Sequence, residues 1–395
     1  MDLASFRALL APAGQAALRA SVELNPREED FLRHYTVLER RFAPQVARAA
    51  LEMAIWRLRA TTKFPAAERM YFTREALEQA SAWEVATYRA QRYRPFALAT
   101  DLGCSIGGDT LALASVLPTV GIDLDPLRLA MAHANLQSLD LEAVFLQADL
   151  RVPLPLSTAA LFFDPARRVG GRRLFSVEDY LPPLSIVKEW LPHFPALGVK
   201  ISPGVDYAEL MEYTAEAEFI SLRGELKEAV LWFGGLQTTR RRATILPGPH
   251  TLWDDSVLQD EAHTLSRPQQ YLYEPDASIL RAGLVVKLAD QLGAAQLDAS
   301  IAYLTSDEVI DTPFARVWKV EEWFPFSLKR LKGYLRARGV GRVVVKKRGS
   351  PLQPEQLIQA LHLQGENERL VFLTQMRGHP IVVVCFAGVA DLLAS

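Results

Sequence analysis

Residues 99–109 read ATDLGCSIGGD, and the fold turns on how they are read. A short apolar run closes on Asp101, glycines follow at 103, 107 and 108, and TLALASVL (110–117) continues at helical spacing. A glycine turn between a strand and a helix exposes backbone N–H groups at the helix mouth, a setting suited to an anionic group. Twenty residues after Gly103, Asp123 ends a second apolar run in TVGIDLD (119–125), where a carboxylate can accept two ribose hydroxyl hydrogen bonds. Asp149 closes a third run in LQAD (146–149).

Outward from this turn the same rhythm repeats. AVFLQAD (143–149), ALFFDPA (160–166), LGVKISPG (197–204) and AVLWFGG (229–235) are short apolar runs, and helical stretches separate the first three strands of the series. Strand–helix alternation predicts an α/β class fold with a doubly wound, Rossmann-like parallel sheet, whose ligands bind beyond the carboxyl ends of the strands. Residues 1–95 read as a helical region, because LASFRALLAPAGQAALRASV (3–22) and FLRHYTVLERRFAPQVARAALEMAIWRLRA (31–60) carry apolar residues three and four apart. TTRRRATILPGPH (238–250) marks a boundary, after which mixed strands and helices predict two small α+β lobes. The divisions expected are 1–95, 96–240, 241–320 and 321–395.

The cofactor follows from two departures. In a dinucleotide fingerprint the middle glycine lets the backbone touch a pyrophosphate, and Ser105 stands there instead. Asp101 would face a phosphate badly but suits an ammonium. S-adenosylmethionine carries an ammonium, a carboxylate and a ribose without a phosphate, and Asp149 can meet its adenine amino group. DLGCSIGGD, GIDLDP, QAD and FFDPARR together resemble the successive motifs of class I S-adenosylmethionine-dependent methyltransferases. KFPAAERMYFTREALEQAS (63–81), VKISPG (199–204), GELKEAVLWFGG (224–235) and YLYEPDASILRAGL (271–284) are similar to a bacterial group that joins such a domain to ferredoxin-like and THUMP-like domains. The resemblance spans roughly residues 60–395. It implies cofactor contacts at Asp101, Gly103, Ser105, Gly107, Asp123, Leu124 and Asp149, and an active-site role for Asp164; Ser105 departs from the more usual glycine.

The acceptor is read from LFFDPARRVGGRR (161–173). Methyltransferases acting on base amino groups carry Asn/Asp-Pro-Pro-aromatic here; Asp164 and Pro165 remain, while Ala166 and Arg167 replace the other two. Asp-Pro-Ala/Pro-Arg looks more like RNA uracil-C5 enzymes, but those need a cysteine nucleophile at the end of the next strand, where this chain has Lys200-Ile201-Ser202. An amine or hydroxyl acceptor remains, oriented by Asp164, with Lys200 and Glu228 on neighbouring strand ends and Trp232 as either a stacking face or core. Arg167, Arg168, Arg172 and Arg173 either meet phosphates or form a structural ion-pair loop.

Ser327 to Ser350 holds nine Lys/Arg and no acid, with Lys346, Lys347 and Arg348 at its end. Such a run is either a solvated face or a site for a polyphosphate such as RNA. A flipped or splayed base must enter a methyl-transfer pocket, so single-stranded or looped RNA, in tRNA or rRNA, is the expected partner. A small-molecule methyltransferase and a non-catalytic RNA- or cofactor-binding protein stay open as alternatives. No apolar run approaches the roughly 18 residues of a membrane span, and Asp2 and Arg7 interrupt any signal pattern. Cys104 and Cys385 have no metal-ligand spacing, so no metal is expected and the compartment expected is the cytoplasm.

Overall fold

The computed structural model describes residues 1–152, 156, 158–166, 168–169, 172–174, 176–255 and 264–388, with the backbone course alone for 168–169 and 172–173. The chain divides into two compact units, one of residues 1–216 with 228–238 and the other of 217–227 with 239–395.

The first unit opens with six helices: α1 (Leu3–Leu10), α2 (Pro12–Glu23), α3 (Phe31–Leu38), α4 (Pro44–Ala60), α5 (Arg74–Gln79) and α6 (Trp83–Ala90). The apolar rhythm of 31–60 runs through two helices because Pro44, lacking an N–H, begins a new one at its first position. Phe6, Leu18, Met53, Phe64 and Phe72 form one core with Ile106, Leu111, Met131 and Leu136, so the N-terminal helices share a core with the segment that follows.

That segment contains β1 (Ala99–Leu102), α7 (Gly108–Ala114), β2 (Thr119–Asp123), α8 (Pro126–Ser138), β3 (Val144–Gln147), β4 (Ala160–Phe163) and β5 (Ala196–Ile201). These strands lie in the order β5-β4-β1-β2-β3 and all run parallel, as the alternation predicts. Two further strands follow, β6 (Glu216–Leu222) and β7 (Glu225–Gly234). β7, the AVLWFGG run, is antiparallel to β5 and departs from an all-parallel sheet. The cause is local: Arg223 and Gly224 both take positive φ, +52° and +78°, and reverse the chain within two residues.

Asn135 in α8 ties the N-terminal helices to the glycine turn. Its Oδ1 accepts from the Tyr71 N–H at 2.6 Å, and its Nδ2 donates to the carbonyls of Tyr71 (3.1 Å) and Ile106 (2.8 Å).

In the second unit β8 (Arg241–Leu246) pairs parallel with β6, and β9 (His250–Asp254) pairs antiparallel with β8. A seven-stranded sheet follows, built from β10 (Tyr271–Pro275), β11 (Ala295–Asp298), β12 (Ile301–Ser306), β13 (Ala315–Pro325), β14 (Val340–Lys347), β15 (Asn367–Met376) and β16 (His379–Phe386). Its order is β11-β12-β10-β13-β16-β15-β14. β13 is long enough to pair with β10 over one half and β16 over the other, which joins both C-terminal lobes into one sheet.

Replacing Asn135 by Ala strands a buried N–H and two carbonyls, each costing about 1–3 kcal/mol. Urea titration of N135A is expected to show a loss of about 3 kcal/mol or more.

Candidate active site

Strand register assembles the site. Leu102 pairs with Ile122 on one side and Phe163 on the other, and Phe163 pairs with Val199. One residue further along, Asp164, just past the end of β4, and Lys200, near the end of β5, therefore stand side by side. Lys200 Nζ lies 2.7 Å from Asp164 Oδ2 and also reaches the Gln79 carbonyl at 3.5 Å. Lys200 is 2% exposed, whereas the Asp164 side chain is 22% exposed and so faces accessible space. Pro165 is buried behind it, and the Ala166–Leu181 bridge closes the loop.

The glycine turn abuts this pair. A Cβ on Gly103 would stand 2.9 Å from the Asp164 carbonyl oxygen, and Gly103 takes φ +79°. Only glycine fits both demands. Gly107 at φ +83° begins α7, where a Cβ would crowd Ala132 at 3.1 Å. Ser105 accepts the left-handed conformation at φ +50°, and its N–H donates to Asp123 Oδ2 at 2.9 Å. Asp123 Oδ1 accepts from the Asp125 N–H at 2.9 Å, so the carboxylate is fixed by backbone from two sides. Asp125 in turn caps α8, and Pro126 occupies that helix's first turn. Leu124 is 58% exposed beside them.

Asp101 stands apart from these. Its Oδ2 accepts from Thr110 Oγ1 at 2.6 Å, while Oδ1 is buried and has no hydrogen-bond partner among the described residues. Burial, reinforced by the nearby carboxylates of Asp109 and Asp164, pushes its pKa well above the usual carboxylate range. Asp149 differs: it is bound by Arg151 at 2.6 Å, and that hydrogen bond holds its pKa down to about 2.

Beneath the site lies a network the sequence does not announce. Arg89 in α6 meets Asp109 Oδ1 at 2.5 Å, Glu228 Oε1 at 2.7 Å and Ser81 Oγ at 2.9 Å, and its guanidinium lies 4.6 Å from the Phe162 ring centre. Ser81 donates to Glu228 Oε2 at 3.1 Å. Burial opposes ionisation of Asp109, yet Arg89 and Lys200 bring its pKa below the usual value. For Glu228 burial wins, and its pKa is raised despite Arg89. Glu228 thus enters the cluster as a buried partner of Arg89. Asp109 was visible inside DLGCSIGGD as an acid after the glycines; Arg89 had no local signal, since only the fold brings α6 to β7 and α7.

Other expected residues separate from this centre. Trp232 is fully buried, packed on Tyr93 and 4.6 Å from the Arg92 guanidinium, so it is core rather than a stacking face. Arg167 lies outside the described residues, as do the side chains of Arg168, Arg172 and Arg173. Lys346, Lys347 and Arg348 belong to the second unit: Lys346 and Arg348 both pair with Glu274, and Lys347 donates to Gln353 at 2.8 Å.

A parallel sheet with a glycine turn after its first strand and an acid ending its second defines a Rossmann-like nucleotide-binding enzyme. Two curated relatives, S-adenosylmethionine-dependent methyltransferases of two Mycobacterium tuberculosis strains whose roles are uncharacterized, are each 37% identical over 311 residues. The match covers 77% of this chain and 84% of each relative. The chain belongs to the S-adenosylmethionine-dependent methyltransferases. A crystal structure from Porphyromonas gingivalis W83, assigned as a methyltransferase, shares the fold with a TM-score of 0.77 at 22% identity, covering 95% of this chain and 98% of that one. A THUMP domain-like family model matches residues 315–387, the span of β13 to β16, and a domain of unknown function matches residues 2–60. Among the described residues, no helix is long and apolar enough to cross a membrane.

S-adenosylmethionine is the cofactor of this family, and the donor set fits it. The unpartnered Asp101 Oδ1 offers an acceptor to an ammonium, and no part of the cofactor requires the close backbone approach that Ser105 would obstruct.

Replacing Arg89 by Met leaves Asp109 and Glu228 buried without their shared cation, a loss of about 3–5 kcal/mol. The folded pKa of Asp109 is depressed, so its pairing stabilises above the unfolded carboxylate pKa and is lost as pH falls through the folded value. Urea midpoints should therefore separate wild type and R89M widely at pH 7 and less only well below the unfolded carboxylate pKa, at about pH 2–3.

Proposed function

We propose that the chain transfers a methyl group to a base nitrogen of structured RNA, tRNA or rRNA, with Asp164 orienting the acceptor. The observation that carries the reading is the partly exposed Asp164 carboxylate, anchored by buried Lys200 at 2.7 Å and abutting the glycine turn. Bound S-adenosylmethionine supplies an electrophilic methyl on its sulfonium. Asp101 takes its ammonium, Gly103, Ser105 and Gly107 shape the turn around its amino-acid part, and Asp123 takes its ribose hydroxyls. Leu124 covers the adenine ring, and Asp149 receives the adenine amino group.

Lys200 occupies Asp164 Oδ2, which leaves Oδ1 for a proton on the acceptor nitrogen. Holding that N–H in one direction would aim the nitrogen lone pair and support the positive charge that develops on it as the carbon–nitrogen bond forms and the methyl–sulfur bond breaks, its electron pair staying on sulfur as a neutral thioether. A carboxylate tied to an ammonium is a fixed orienting group, so the proton finally leaves to solvent or a neighbouring base. Pro165 keeps the loop backbone from donating at that point.

Residues 1–95 support the catalytic domain at 96–240, a ferredoxin-like lobe occupies 241–320, and the THUMP-like segment at 321–395 holds RNA. THUMP-like likeness and the basic run favour RNA over a small molecule, and the cytoplasm is the compartment this assigns.

Replacing Asp101 by Asn removes a buried acid that carries a raised pKa. For a raised acid, folding stability falls as pH climbs from the unfolded toward the folded pKa, so the amide should melt higher than wild type above pH 5. The same change removes a charged acceptor, and calorimetry should show cofactor affinity falling by about tenfold or more, the effect of losing a charge-assisted hydrogen bond of about 1.5–3 kcal/mol. Equal cofactor affinity would remove Asp101 from the pocket.

Replacing Asp164 by Asn should leave cofactor affinity unchanged and slow single-turnover methyl transfer by about a hundredfold or more. The assay is tritiated methyl transfer into total RNA from a deletion strain, followed by nucleoside mass spectrometry, which names base and atom. Unchanged transfer by D164N would make the acid structural, and label entering only small molecules would refute the RNA reading.

A further inference from the structure

The basic run divides sharply once its partners are visible. Lys346 and Arg348 share Glu274, Arg338 and Arg369 share Glu321, and Arg342 meets Glu368 at 3.3 Å. Those cations answer carboxylates supplied by other strands of the same unit. The helix Leu328–Ala337 is different. It buries Leu331 and Leu335 in the core and turns Lys329 and Arg330 outward, both exposed, with Arg330 4.4 Å from the Phe324 ring centre.

Ser327, Lys329, Arg330, Gly333 and Tyr334 line an open groove of about 540 Å³ on this face. Positions 329, 330, 333 and 334 are three and four apart, so they form one continuous surface. Phe326 and Leu328 flank it, 37% and 40% exposed.

Gly333 is the informative residue. Glycine weakens a helix interior relative to alanine. A Cβ there would meet no atom within 4 Å among the described residues, so no packing neighbour there calls for its absence. Its conformation is ordinary helix, so no positive φ calls for glycine either. What a bare Cα does permit is close approach of something from outside to the helix backbone.

We propose that this groove, rather than the Lys346–Arg348 strand, is where the second unit grips single-stranded RNA. One nucleotide sits over Gly333, its flanking phosphates meet Lys329 and Arg330, and Ser327 Oγ reaches a sugar or phosphate oxygen. The proposal rests on the RNA reading above and adds the site. Charge complementarity selects the occupant, because Lys329 and Arg330 line the groove and the helix carries no acid. A duplex would need a longer basic track than this short face supplies.

The test uses the full chain and fluorescein-labelled oligouridylate, with unfractionated tRNA as competitor, in anisotropy titrations across a salt series. The double variant K329A/R330A should bind about tenfold more weakly at ~0.1 M salt and flatten the log–log salt slope by about 1–2 units. G333A should raise the melting temperature by improving the helix while weakening RNA binding, a pair of signs that a purely structural glycine cannot give. K346A should do the reverse, lowering the melting temperature and leaving the salt slope unchanged. If wild type binds RNA and both groove variants keep its affinity and slope, the groove is wrong and the RNA reading stands. If wild type binds no RNA while its cofactor affinity is intact, both fail. Displacement of the oligonucleotide by polyglutamate as readily as by tRNA would assign the groove to an acidic protein chain and overturn the proposal.

Discussion

The arrangement of the candidate site depends on one guanidinium taken out of water. Arg89 joins an N-terminal helix to the first helix of the sheet domain through Asp109 and to the antiparallel strand through Glu228. Three elements distant in sequence thus converge on a planar group that offers donors in fixed directions. Burying such a cation is costly, and two carboxylates and a serine hydroxyl are what make it tolerable. The cost has a structural return: α6 cannot slide along β7 without pulling apart the Arg89–Glu228 ion pair, and the floor beneath Lys200 and Asp164 is set. This explains why the N-terminal helices share a core with the catalytic sheet.

The sheet domain was legible in the sequence because its signals are local. A glycine turn after an apolar run, a Pro after a capping Asp, and acids at run ends each act within a few residues. The register then converts sequence position into proximity, since parallel strands in step place Asp164 beside Lys200. The antiparallel β7 was not legible from hydrophobicity, which is blind to strand direction; its signal was Arg223-Gly224. Arg89 was invisible for a deeper reason. An arginine among many on amphipathic helices looks solvated until the fold shows which one has no water to face.

The basic run shows the opposite failure. Counting cations along 327–350 treats them as a field, but β14 is paired in register with β15, whose Glu368 and Arg369 alternate in sign. Glu274 and Glu321 come from strands 40 or more residues away or on the far side of the helix, and composition cannot bring them near. A strand at the edge of a sheet profits from such pairs, because charged edge residues discourage pairing with another chain. On the helix, Lys332 and Arg336 bond the carbonyls of Ala360 and His362, whereas Lys329 and Arg330 meet no carboxylate among the described residues. The distinction between paired and unpaired cations therefore lives in tertiary structure, even though the residues themselves are contiguous.

Asp101 connects these threads to chemistry. Four buried or half-buried carboxylates, Asp101, Asp109, Asp164 and Glu228, surround two buried cations, Arg89 and Lys200. Arg89 serves Asp109 and Glu228, Lys200 serves Asp164, and Asp101 is left with a neutral hydroxyl on one oxygen and nothing on the other. An isolated buried carboxylate lowers its cost by holding a proton, which is the direction its pKa takes. Evolution could have relieved the cost with an asparagine, which would keep the Thr110 hydrogen bond. The charge imbalance at the mouth of β1 is the basis on which the proposed reading gives Asp101 to the cofactor's ammonium: a cation seated there would offset the cost that Thr110 alone leaves.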